Sequence, residues 1–127
     1  MTQLQALLLT VAIEVPAVMA LVWLLGSSWA PRLVRVEYVS GQVTLVATAA
    51  AASLLTHPFA WWANTELLRG RLPFMERATV IELSVIGAEA LLYAWLLGLE
   101  PGAALLVAAV ANGLSFGLGL WLYWNVF

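Results

Sequence analysis

The chain has 127 residues, of which 64% are hydrophobic and 9% charged, with a formal net charge of −2 and a mean hydropathy of +0.97. Soluble domains run near roughly 45–50% apolar and about 25% charged, so an ordinary soluble enzyme, a disordered protein and a cationic nucleic-acid binder are all excluded. Cysteine is absent, which removes disulfides, thiolate metal sites and cysteine nucleophiles together.

A helix needs roughly 20 mostly apolar residues to cross the hydrocarbon of a bilayer. Four runs qualify and predict spans at Leu4–Gly26, Gln42–Ala63, Ala78–Leu99 and Gly102–Trp124. They are too long and too little alternating for membrane strands. The expected fold is an all-α membrane protein, a four-helix transmembrane bundle forming a single domain over residues 1–127.

The first span, Leu4–Gly26, is followed by Ser28-Trp29-Ala30, a loose small-x-small pattern. It lacks a basic leader, and its apolar run is too long for a signal peptide. It reads as a retained span, interrupted by Glu14 and Pro16. The first connection, Ser27–Gly41, carries Arg32 and Arg35; the second, Asn64–Arg77, carries Arg69, Arg71 and Arg77. Four spans place both termini on the side of the second connection. Its one-arginine excess predicts cytoplasmic termini by the positive-inside rule. Trp23, Trp29, Tyr38 and Trp95 fall toward one rim, and Trp61, Trp62, Phe74, Trp121, Tyr123 and Trp124 toward the other, as interfacial anchors do.

The second span, Gln42–Ala63, carries the small tract Ala47–Ala52, then Ser53, His57 and Pro58. The third, Ala78–Leu99, carries Glu82 and Glu89, seven residues apart on one face and roughly 10 Å apart in depth. On insertion scales its two carboxylates against about ten large aliphatics come out near zero, so it inserts with help from its neighbours or with its carboxyls protonated. The fourth, Gly102–Trp124, is small-residue rich. Ala104, Ala108 and Asn112 repeat at four, and Gly113 and Gly117 form GxxxG, a helix-packing signature. The expected partner is the second span within one chain, with homodimerisation through Gly113 and Gly117 as the lesser alternative.

Two tandem helix pairs are legible. Thr10–Glu14 resembles Thr79–Glu82, and Ser53-Leu-Leu-Thr56 parallels Asn112-Gly-Leu-Ser115. Two helices per unit would make these parallel repeats.

Glu14, His57, Glu82 and Glu89 are ionisable residues inside spans, a class that usually faces a bundle interior or a water-filled cavity. Depth places Glu14, Glu89 and Asn112 near the midplane, and Glu82 and His57 one layer away. No Arg or Lys lies within a span to neutralise three carboxyls. They are protonated, hydrogen-bonded to groups such as Asn112, Ser115, Thr10 or Tyr93, or hold an external cation. Pro16 and Pro58 each free the carbonyl four residues back, at Ala12 and Leu54, which would supply a cation site beside a carboxylate. His57 and Glu82 are also the pair that would hold a divalent metal, although no spaced metal motif is present.

These features point to a small membrane protein of proton- or cation-linked transport or channel-like activity, with Glu14, Glu82, Glu89, His57 and Asn112 as the binding residues. The alternatives are an accessory or assembly subunit of a larger membrane complex and an intramembrane divalent-metal-binding protein. No nucleophile elbow or phosphate loop is found, so an enzyme is the lesser reading. The sequence requires no cofactor; the expected partners are the lipid bilayer and a second copy or a larger complex, not nucleic acid.

Overall fold

The computed structural model describes residues 2–28 and 38–126. Arg32, Arg35, Trp29 and the remainder of 29–37 lie outside the described residues, and with them half of the arginine comparison behind the expected orientation.

Four helices account for almost all of the described chain: α1 Gln3–Ser28, α2 Tyr38–Trp62, α3 Phe74–Leu97 and α4 Pro101–Asn125. All four are long and apolar enough to cross a membrane. They are apolar all round rather than on one stripe, as expected for helices with lipid on one side and protein on the other. The outward faces carry Leu8, Trp23, Leu91, Trp95, Leu105 and Leu114, while Glu14, Ser53, Glu89 and Asn112 are buried. The chain thus places polarity inside and hydrocarbon outside, which supports integral membrane placement.

The ends follow local chemistry. After α2 the chain continues as a π-turn, Ala63–Leu67, closed by Leu68 N–H donating to the Ala63 carbonyl at 2.9 Å. Gly70 then turns at φ +82°, in the left-handed region that favours glycine. Pro73 caps α3 from outside, where its missing N–H costs nothing. Gly98 ends α3 at φ +63°, and Pro101 opens α4 at its first position.

The third helix begins at Phe74, four residues before the predicted start of its span. Hydropathy ends where charge begins, but Glu76 and Arg77 continue the helix from Pro73. Arg77 is accommodated there because its Nε–H donates to Asn64 Oδ1 at 2.6 Å and its guanidinium lies 5.8 Å from the Phe74 ring centre.

The helices form a ring in chain order. α1 packs on α2 and α4, and α3 packs on α2 and α4, while neither diagonal pair approaches among the described residues. The expected close crossing of the second and fourth spans is therefore corrected: these helices are diagonal. Their small residues instead admit the flanking helices. Ala49, Ala52, Ala104, Ala108 and Ala111 join Val18, Val22, Val107, Tyr93 and Leu99 in one core cluster. That cluster fills the half of the bundle nearer the first connection. Gly113 and Gly117 turn outward, and a Cβ built on either would meet nothing within 4 Å.

This packing predicts opposite outcomes for two bulky substitutions on α4. Ala108→Leu, at a fully buried position, should destabilise the bundle by about 1–3 kcal/mol through overpacking. Gly113→Leu should change stability by no more than about 0.5 kcal/mol. Denaturant titration in mixed micelles measures both; an equal loss for Gly113→Leu would place a neighbour on that face.

Candidate functional site: a paired carboxyl core beneath a vestibule

Glu14 of α1 and Glu89 of α3 face each other across the bundle axis from diagonal helices. Neither is exposed by more than 1%. A carboxyl deprived of water in an apolar bundle is costly unless hydrogen bonds replace its hydration. Here every carboxyl oxygen has a donor. Ser53 Oγ donates to Glu14 Oε2 at 2.6 Å and Ser115 Oγ to Glu14 Oε1 at 2.6 Å. Thr56 Oγ1 donates to Glu89 Oε1 at 2.8 Å, and Asn112 Nδ2 to Glu89 Oε2 at 2.6 Å.

All four donors come from α2 and α4, the two helices that flank each glutamate-bearing helix. The pattern has two-fold form. Exchanging the helix pairs maps Glu14 onto Glu89, Ser53 onto Asn112 and Thr56 onto Ser115. Each glutamate takes the first residue of the Ser53–Thr56 or Asn112–Ser115 segment on its own pair's second helix and the last residue of that segment on the other pair's. The partner of Glu14 in the repeat is thus Glu89, not Glu82. Ser53–Thr56 and Asn112–Ser115 are equivalent in this hydrogen-bond pattern, whereas Glu82 donates to or accepts from neither segment in it.

The three hydroxyl donors have a second property. A hydroxyl carries one proton, yet each of these has two acceptors. Ser53 Oγ also lies 3.1 Å from the Ala49 carbonyl, Thr56 Oγ1 2.9 Å from that of Ala52, and Ser115 Oγ 3.1 Å from that of Asn112. When the facing carboxyl is ionised, the hydroxyl donates to it. When the carboxyl is protonated, it donates to the hydroxyl, which turns its own proton to the backbone carbonyl. Both states are satisfied without moving a helix. Asn112 differs: its amide has two N–H bonds and uses both, on Glu89 Oε2 and on the Ala108 carbonyl at 2.9 Å. It holds Oε2 as an acceptor, so a proton on Glu89 resides on Oε1, facing Thr56.

Above this pair lies a cavity of about 680 Å³ lined by all four helices. Its walls carry residues from the start of α1 and α3 and from the end of α2 and α4, so it opens at the end of the bundle where α1 begins and α4 finishes. Trp61, Phe74, Phe116, Tyr123 and Trp124 supply aromatic surface, and Glu14, Thr56, Asn112 and Ser115 belong to its lining. Such a volume is typical of a small-molecule or solvent vestibule. Toward the other end it meets the apolar core cluster.

His57 and Glu82 lie in the vestibule wall, as their depth predicted. Glu82 is close enough for its charge to act with those of Glu14 and Glu89. The His57 ring lies 6.4 Å from that of Trp61, tilted by 34°, and its Nε2 is buried without a partner. No group of three His, Asp or Glu residues converges on a metal position among the described residues. Arg77 is the cation of the wall, held by Asn64 and Phe74. α4 contributes no acidic or basic side chain to the site.

Pro16 and Pro58 lie inside α1 and α2. Both are exposed, as are Ala12 and Leu54, the residues whose carbonyls they leave without a helical donor. They sit on outward faces, and the carboxyls are served by side chains rather than by freed backbone. Thr56 was not among the expected site residues, although its place in Ser53-Leu-Leu-Thr56 was the available signal.

Comparison of the chain with known protein families, curated proteins and solved structures finds no match.

The two-fold pairing predicts which residues couple. Double-mutant cycles for Ser53–Glu14 and Asn112–Glu89 should each give about 0.6–1.7 kcal/mol, the range for interhelical hydrogen bonds in membranes. The crossed cycle Ser53–Glu89 should give close to none. Coupling in the crossed cycle equal to the direct ones would contradict the assignment.

Proposed function

We propose that this is a small membrane transport protein in which Glu14 and Glu89 bind a proton, or a cation in its place, delivered through the vestibule. The observation that carries the reading is the set of hydroxyl donors with a second acceptor. They keep the carboxyls hydrogen-bonded both charged and neutral, which is what a site that takes up and releases protons requires.

A purely structural role makes a different demand. Interhelical glue needs a fixed donor and a fixed acceptor, and a glutamine supplies both. Two glutamates with three rotatable hydroxyls and no facing arginine offer a variable charge that packing does not use. The vestibule supports the reading because it leads from one end of the bundle to the Glu14 carboxyl. Glu82 and His57, spaced along its wall, are fitted to attract a cation or pass a proton on the way in. In a low-dielectric wall their effect on local ion concentration is stronger than at an open surface.

In proteoliposomes under an imposed pH gradient, the native chain should give a proton- or cation-dependent flux. Glu14→Gln and Glu89→Gln should each lower it to background while the helical content and thermal unfolding of the protein are retained. Glu82→Gln should reduce the flux by about ten-fold or less, as expected for steering rather than binding. Unchanged flux in both Glu14→Gln and Glu89→Gln would overturn the proposal.

A further inference from the structure

The carboxyl pair leaves one buried polar group unused. Tyr93 is fully buried and sits one turn beyond Glu89 on the same face of α3. Its hydroxyl is buried one helical turn from the Glu89 carboxyl and makes no hydrogen bond to it or to any other described residue. A buried hydroxyl without a partner is unfavourable, and phenylalanine would fill the same space without that cost.

Its position is informative. Tyr93 belongs to the apolar cluster that closes the bundle beyond the carboxyls, together with Val18, Ala52, Val107 and Ala108. It stands at the boundary between the polar floor and the closed half. The present donors to Glu89, Thr56 and Asn112, belong to the neighbouring helices α2 and α4. Any movement that parts α3 from those helices strips Glu89 of both. Tyr93 is on α3 itself and would travel with it.

We infer that Tyr93 is the positioning residue of a second conformation, in which its hydroxyl takes over the Glu89 carboxyl, Thr56 and Asn112 release it, and the closed half of the bundle opens. This rests on the transport reading, since a carrier that binds from one end must open toward the other in turn. In the structure described here the hydroxyl waits. In the second conformation it replaces two lost hydrogen bonds with one and keeps an ionised Glu89 from standing bare. Glu14, on α1, has no counterpart to this tyrosine, so the two carboxyls are equal in their hydrogen bonds here and unequal in the movement.

The test uses the absence of native cysteine. Val18→Cys places a single thiol in the closed half, and labelling by a charged, water-soluble methanethiosulfonate reagent in lipid nanodiscs reports its opening. Labelling should be measurable with Tyr93 present and slower by about ten-fold with Tyr93→Phe, the weight of one lost hydrogen bond to a charged group. Thermal stability of Tyr93→Phe should equal or exceed that of the native chain. Val107→Cys serves as a second reporter if Val18→Cys does not fold. Equal labelling with and without the hydroxyl, no labelling at either reporter, or a less stable Tyr93→Phe would overturn the inference. Labelling does not depend on flux. Loss of the Tyr93 effect with Glu14→Gln and Glu89→Gln still abolishing flux would leave proton binding standing and remove only this role.

Discussion

Two carboxyls must be kept solvated by protein inside a bundle whose exterior is hydrocarbon, and this requirement organises the rest. Glu14 and Glu89 are buried, and donors from α2 and α4 replace their hydration. Each flanking helix gives one donor to each glutamate, and the four bonds draw the four helices into a ring around one layer. Small residues make the approach possible: Ala49 and Ala52 on α2, and Ala108 and Ala111 on α4, let the donor-bearing turns come close to the carboxyls. Packing and polarity are therefore not separate features. The alanines are needed because the hydroxyl and amide side chains of α2 and α4 are short.

Below and above that layer the bundle differs. One half is filled by aliphatic side chains and alanines; the other holds the vestibule, with aromatic rings in its wall and Glu82 and His57 along it. The repeat is two-fold in its hydrogen bonds about an axis running along the helices, so it does not require the two ends to be alike. The carboxyl layer thus lies at the junction of an open half and a closed half.

Much of this was legible in the sequence. The four spans, the common layer of Glu14, Glu89 and Asn112, and the outer layer of Glu82 and His57 follow from run length and helical rise, because membrane depth is a one-dimensional quantity. What was not legible is lateral. Sequence spacing does not say which helices are neighbours, so α2 and α4 were expected to cross when they are diagonal. Gly113 and Gly117 matched a packing signature yet face outward. The partner of Glu14 was expected at Glu82 on a local likeness, whereas the hydrogen-bond exchange selects Glu89. The start of α3 was misplaced because hydropathy penalises Glu76 and Arg77, and it cannot register that Asn64 receives the arginine. The second acceptor of each hydroxyl was likewise invisible, since it is a backbone carbonyl in its own helix.

Under the proposed reading Glu14 and Glu89 change protonation while staying hydrogen-bonded. Infrared difference spectroscopy of the protein in lipid, between acid and alkaline buffer, tests it most directly through the carbonyl stretch of protonated carboxyls. A pH-dependent band with two components is predicted, one removed by Glu14→Gln and the other by Glu89→Gln, both at positions typical of a hydrogen-bonded acid. A spectrum that does not change with pH, or a band that survives both substitutions, would contradict it.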